Sequence, residues 1–380
     1  MPVRPRFCLQ LRKSVVAGVI AALLLASDSS AFQSALMAGL TALNANDLAT
    51  AQVQLETASR LNPRRPDVWL ALAQTYWKQQ KVAAADDSAS KAEQLAPGDP
   101  AVLRGLALYF SERGSLAKAA DFESRYAAKT NDAAAYLLAG ALYARAGKLD
   151  AAVPAMRRAV ELQPYDETYY FQLAQTLLQM QKFEPALETL RAGLKIFDKS
   201  AQLELARGVA LYGLRKFPEA IDSFLRTIEL APDVRQPYIF LGRMLDVAER
   251  KLPAVTQVFA SYQKAQPDDA LANFLYGKAL AASGADPEQA EMLLRKSIRL
   301  DGSKWESHYE LGALLERKRA YAEAAKEFER SIELNTKEPA PHYRLARVYD
   351  RLGRAAEADE QRAIHARLAG ENKGGSGAVK

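Results

Sequence analysis

The chain has 380 residues, 49% of them hydrophobic and 25% charged, with 20 Gly and 17 Pro. That composition belongs to an ordered soluble protein and excludes a disordered, collagen-like or membrane-bundle chain. Its formal charge of +6 falls to +3 once residues 1–31, with Arg4, Arg6, Arg12, Lys13 and Asp28, are set aside, too weak a balance to point to nucleic acid or an anionic membrane as main partner.

The first element in chain order is a basic stretch ending at Lys13, an uncharged run from Ser14 to Ala26, and small or polar residues closing with Ser29, Ser30 and Ala31. These are the three regions of a secretory signal peptide, with Ser29 and Ala31 as the small residues a signal peptidase needs. As a helix the apolar run would span about 20 Å, short of a bilayer core of about 30 Å. The expectation is therefore a cleaved signal over residues 1–31 and an exported protein, periplasmic or extracellular, with no membrane insertion after cleavage. Anchoring by an uncleaved signal is the alternative. The single cysteine, Cys8, precedes the apolar run and would leave with it, so a mature chain would hold no disulfide and no Cys metal site.

From Phe32 onward one pattern repeats. In residues 133–166, small and large apolar residues recur at helical spacing (Tyr136, Ala139, Gly140, Tyr143), Gly147 breaks the helix, and a second amphipathic run (Ala152, Met156, Ala159) stops at Pro164. This helical hairpin restarts near Phe32, Pro66, Pro100, Ala133, Glu167, Ala201, Arg235, Ala270, Trp305 and Pro339, at intervals of 33 to 35 residues. Position eight of the first helix is Gly or Ala in all ten copies (Gly39, Ala73, Ala107, Gly140, Ala174, Gly208, Gly242, Gly277, Gly312, Ala346), as a close helix–helix contact requires. The second helix carries a small residue in all ten (Ala51, Ala85, Ala119, Ala152, Ala186, Ala220, Ala254, Ala290, Ala324, Ala358). Pro63, Pro97, Pro164, Pro232 and Pro267 end second helices.

These positions resemble the tetratricopeptide repeat family over nearly nine-tenths of the chain. The resemblance implies an all-α fold: an α-solenoid, a right-handed superhelix of about ten stacked helix-turn-helix units over residues 32–369, with first helices lining a concave groove. No linker interrupts the array, which predicts one elongated domain. Arg362 and His365, where an internal repeat would have core residues, suit a terminal helix with a solvated face, and residues 370–380 read as a flexible tail.

The resemblance also places positions 5 and 9 of each first helix in the groove. Position 5 reads Leu36, Leu70, Arg104, Leu137, Phe171, Leu205, Ile239, Phe274, Tyr309, Tyr343, an apolar ladder on one face. The same residues can instead seal neighbouring first helices together. Position 9 turns from Leu40, Gln74 and Leu108 to Arg243, Lys278 and Arg347, and with Arg317, Arg351, Glu306, Glu316 and Asp350 it predicts a charged half following an apolar one. An extended peptide or helix could lie in the first while an acidic group meets the second; a solvated face with ion pairs inside each repeat is the competing reading. In the first helix Leu36, Leu40 and Leu43 form a stripe with no preceding repeat to cover it, which predicts a self-association or partner contact.

Chemistry is sparse. His308 and His342 occupy equivalent positions 34 residues apart, and with His365 they form no close metal-binding pair. Ser-x-x-Lys at Ser88–Lys91, Ser115–Lys118 and Ser261–Lys264 lacks the partner motifs of penicillin-recognising enzymes. No nucleophile, base and oxyanion set emerges, and no cofactor is expected. The sequence thus reads as an exported, non-enzymatic scaffold binding a protein or peptide, with no nucleic acid expected. The alternatives are the substrate-binding array of an envelope enzyme and a helical-repeat nucleic-acid binder.

Overall fold

A computed structural model describes residues 29–375. The predicted signal lies outside the described residues except for Ser29, Ser30 and Ala31, which begin the first helix: Ser29 accepts from the Phe32 N–H as its N-cap. Among the described residues all regular structure is helical, and no helix is long and apolar enough to cross a membrane.

The chain divides into two compact units, the first ending at Ile196 and the second beginning at Phe197. The first unit holds five hairpins: α1 (Ser30–Asn44) with α2 (Leu48–Leu61), α3 (Pro66–Lys78) with α4 (Val82–Leu95), α5 (Pro100–Glu112) with α6 (Leu116–Thr130), α7 (Ala133–Arg145) with α8 (Leu149–Leu162), and α9 (Glu167–Gln179) with α10 (Phe183–Leu194). The second holds α11 (Ala201–Gly213) with α12 (Phe217–Leu230), α13 (Arg235–Arg243) with α14 (Leu252–Ala265), α15 (Ala270–Ser283) with α16 (Pro287–Leu300), α17 (Trp305–Arg317) with α18 (Tyr321–Leu334), and α19 (Pro339–Arg351) with α20 (Ala355–Gly375). Helix packs on sequence neighbour, so each unit is a stack of hairpins, an α-solenoid. The last helix runs past Gly370 to Gly375, where a tail was expected from Gly370 onward, Gly370 keeping its φ outside the left-handed region.

Local rules set the boundaries. Asp99, Asp132, Asp166, Ser200 and Asp269 each stand just before a first helix and accept backbone N–H bonds two or three residues on. Pro66, Pro100 and Pro339 occupy the first helical turn, where the missing donor is harmless. Between the helices of each hairpin, position 15 always has positive φ: Asn46, Gln80, Gly114, Gly147, Gln181, Arg215, Glu249, Gly284, Arg319 and Gly353. In eight hairpins the next N–H returns to the carbonyl five residues back, as Lys148 does to Tyr143 at 2.9 Å.

The packed stripes follow the small residues. All ten position-eight residues are buried. Nine of the second-helix alanines are buried too, but Ala254 is exposed and Val255, fully buried, stands in its place. The extra residue of this 35-residue repeat lies in the turn before α14 and shifts that helix by one. Its buried face is then Val255, Phe259 and Tyr262, where a regular hairpin such as α12 presents Ala220, Phe224 and Thr227. The added bulk cannot be met by a full-length partner. Helix α13 accordingly stops after nine residues, followed by two short 3₁₀ turns at Leu245–Val247 and Glu249–Lys251, and Gly242 fits against Leu275 of the next first helix.

Candidate functional site

The irregular seventh hairpin is flanked by two cavities. One, of about 450 Å³, is lined by first helices α13, α15 and α17 and brings together Ile239, Arg243, Phe274 and Lys278, four of the predicted groove residues. The other, of about 500 Å³, lies against α12 and α14, with Ile228, Val258 and Tyr262 in its wall. Arg235 and Asp269, paired at 2.9 Å, line both. Tyr238 and Tyr262, stacked with centroids 4.2 Å apart, stiffen the wall.

Charges in and around the first cavity are mostly satisfied. Lys278 reaches Glu310 at 3.1 Å, and Lys304 lies 3.8 Å from Asp301. Ser297 donates to the Ala270 carbonyl at 2.9 Å and lies 3.2 Å from Ser307, both serines being buried. Arg243 and Glu306, which also line it, are exposed.

The other predicted positions lie elsewhere. Leu70 packs against the backbone of the neighbouring first helix, so that a Cβ on Gly105 would stand 2.8 Å from it; here position 5 seals two hairpins. Arg104 turns to buried Glu123 in its own hairpin and lies over the Tyr126 ring at 4.9 Å. Burial pushes the Glu123 carboxyl up to about 7, against the pull of Arg104. Leu137 packs beside Ala133, Ala159 and Tyr169, while Phe171 and Leu205 are half-buried. Tyr309 rests between Trp305 and Phe328. Tyr343 is 51% exposed, and Arg347 reaches Glu316 at 3.3 Å. Among the groove cations Arg104, Lys278 and Arg347 are therefore spent in ion pairs.

The predicted surface stripe on α1 is corrected. Leu36 and Leu43 are 2% and 3% exposed and Leu40 is half-buried, packed with Leu55, Val68 and Leu72 of the following helices. The stripe packs against the second and third helices of the array, and Met37 is the one large hydrophobic side chain exposed on α1.

The histidines follow the repeat. His308 Nδ1 lies 2.6 Å from Glu327 and His342 Nδ1 2.6 Å from Gln361, an identical geometry one hairpin apart. No group of three metal-ligating side chains occurs among the described residues.

Ten registered hairpins of this kind have counterparts among known proteins. A sequence profile described as Tetratricopeptide repeat matches residues 36–100, 171–234 and 284–341, and a second of the same description matches 133–176, together more than half of the chain. The chain belongs to the tetratricopeptide repeat family. No curated protein matches it. Similar solved structures include YrrB, described as a TPR protein with an unusual peptide-binding site, at 18% identity and TM-score 0.41, covering 50% of this chain and 96% of that one. MamA from Desulfovibrio magneticus RS-1 is 23% identical with TM-score 0.39, covering 45% and 96%. Yeast Tom70 is 15% identical with TM-score 0.40, covering 89% and 92%.

In this tetratricopeptide repeat protein the sequence left Arg235, Asp269, Ser297 and Ser307 unassigned at the cavity. The available signal was the 35-residue interval from Arg235 to Ala270, which contains the disturbed hairpin.

Proposed function

We propose that this protein is an exported scaffold that holds a protein partner against its first helices, with the cavity between α13, α15 and α17 as the anchoring point. The convergence of Ile239, Arg243, Phe274 and Lys278 on that cavity carries the reading. A volume of about 450 Å³ with an apolar wall set among charged residues suits a bound side chain or peptide turn. Hairpins that lean on their neighbours keep such a surface pre-formed, so little ordering entropy is lost on binding.

Export is part of the proposal and rests on the basic, apolar and small-residue regions of residues 1–31. Cleavage after Ala31 would leave Phe32 as first residue, already 1% exposed in the core and facing Arg65 at 5.3 Å. The N-terminal mass of the protein recovered from the cell envelope checks this: a chain starting at Phe32 supports it, and an intact Met1 start in the cytosol contradicts it. The scaffold reading is tested by affinity capture from the envelope fraction with wild type beside Phe171→Ala/Phe274→Ala. A partner retained by the wild type and lost by the double variant supports groove binding; an unchanged partner set moves binding to another face.

A further inference from the structure

Seven charged residues line the cavity of α13, α15 and α17. Five of them have partners: Arg235 with Asp269, Lys304 with Asp301, and Lys278 with Glu310 beyond the rim. The remaining two, Arg243 and Glu306, have no hydrogen bond or ion pair among the described residues, and they do not pair with each other. They carry opposite charge, come from different hairpins and are both exposed. Between them the wall is apolar, from Ile239, Leu271 and Phe274. One hydroxyl adds a direction. Ser297 spends its proton on the Ala270 carbonyl, so the 3.2 Å contact with Ser307 is a bond that Ser307 donates. The Ser307 oxygen keeps acceptor capacity on that wall.

We propose that this cavity recognises an extended segment of a partner protein in which a bulky apolar residue is flanked by an acidic residue on one side and a basic residue on the other. The apolar side chain fills the space over Phe274 and Ile239, the carboxylate meets the Arg243 guanidinium, the cation meets Glu306, and a backbone N–H of the segment donates to Ser307. A segment of uniform charge would satisfy one free group and repel the other. The inference rests on the groove reading above and narrows it to a charge order.

The test is an array of nonapeptides with central Leu or Phe and Asp or Lys at varied distance on either side, probed with the purified full-length protein and with Arg243→Glu, Glu306→Lys and the double variant. Both positions are exposed, so the folds should be retained, which helical circular dichroism checks. Wild type should bind acid–apolar–base peptides about tenfold more tightly than peptides with either charge reversed. Arg243→Glu should invert the preference at the acidic position only and Glu306→Lys at the basic position only. The double variant should prefer the reversed peptides. Preferences unchanged by either substitution overturn the cavity assignment while leaving groove binding to the envelope capture, which is judged separately. Failure of wild type to bind any peptide in the array also overturns it.

Discussion

A Cβ placed on Gly208 would stand 2.6 Å from Cε1 of Phe224, in the second helix of the same hairpin. The same relationship joins Gly39 to Leu55, Gly140 to Met156 and Gly312 to Phe328, all closer than real Cβ contacts allow. Ala73 and Ala107, by contrast, share their hairpins with Ala89 and Glu123 at the equivalent place. Gly thus stands where a bulky side chain presses in, but Ala107, Ala174 and Ala346 stand opposite Glu123, Leu190 and Arg362, so the size of the partner alone does not set the choice.

It follows that Gly208→Leu and Ala220→Leu should each destabilise the protein by about 1–3 kcal/mol through overpacking, and Gly208→Leu should recover part of the loss when combined with Phe224→Ala. Urea melts of the two single variants and the double variant check this. Additive losses in the double variant would show that the two positions do not meet.

Position 15 of every hairpin has positive φ, yet only four of the ten residues there are glycine. A side chain in this conformation costs roughly 1 kcal/mol, which glycine avoids at some expense in unfolded-state entropy. Arg215→Gly (φ 58°) and Arg319→Gly (φ 62°) should each raise stability by about 0.5–1 kcal/mol, and Gly147→Ala (φ 75°) should lower it by a similar amount. Thermal melts of the three variants report the sign directly.

Glu123 gives the stability curve an acid slope. Its carboxyl is raised by burial from 4.5 to about 7 in the fold, so the folded state holds a proton that the unfolded chain releases. The stabilisation is fully present below pH 4.5 and is lost as pH rises to 7, an effect of about 1–3 kcal/mol. In Glu123→Gln that part of the slope should vanish. A denaturation series from pH 4 to pH 8 distinguishes the two curves.

Tyrosines tie successive hairpins together at the alkaline end. Tyr76 donates to Glu56 at 2.9 Å and Tyr349 to Glu329 at 2.8 Å, across equivalent junctions. Burial first, and then the carboxylate, push both phenols up to about 12. Their contribution is complete below pH 10 and fades as pH rises to 12. Tyr76→Phe and Tyr349→Phe should each cost about 1 kcal/mol at neutral pH and flatten the alkaline decline. Melts at pH 7 and pH 10.5 provide the check.

Much of this architecture was legible in the sequence because it is written in small residues. The recurrence of Gly or Ala at position eight marks a contact that tolerates nothing larger, and helices begin where that register places them, Pro66, Pro100 and Ala133 among them. What escaped was carried by residues without a local signature. Gln181, Arg215 and Glu249 give no sign of a left-handed turn. Ala254 offered the expected small side chain one residue too early, concealing the shift that puts Val255 into the contact and shortens α13. The groove cations looked free because their partners lie one hairpin away, as Glu310 does from Lys278 and Glu316 from Arg347. The first-helix leucines looked exposed because coverage from the following hairpin leaves no mark in that helix.

In the proposed function a protein partner occupies the surface of α13, α15 and α17. The most direct measurement is photo-crosslinking in the source cell, with a benzophenone amino acid placed at Phe274 in the cavity wall or at Met292, 57% exposed on the second helix of the same hairpin. A discrete adduct from position 274, absent from position 292 and lost when Arg243→Glu and Glu306→Lys are introduced together, is the predicted result. An adduct from position 292 with none from position 274 would contradict it.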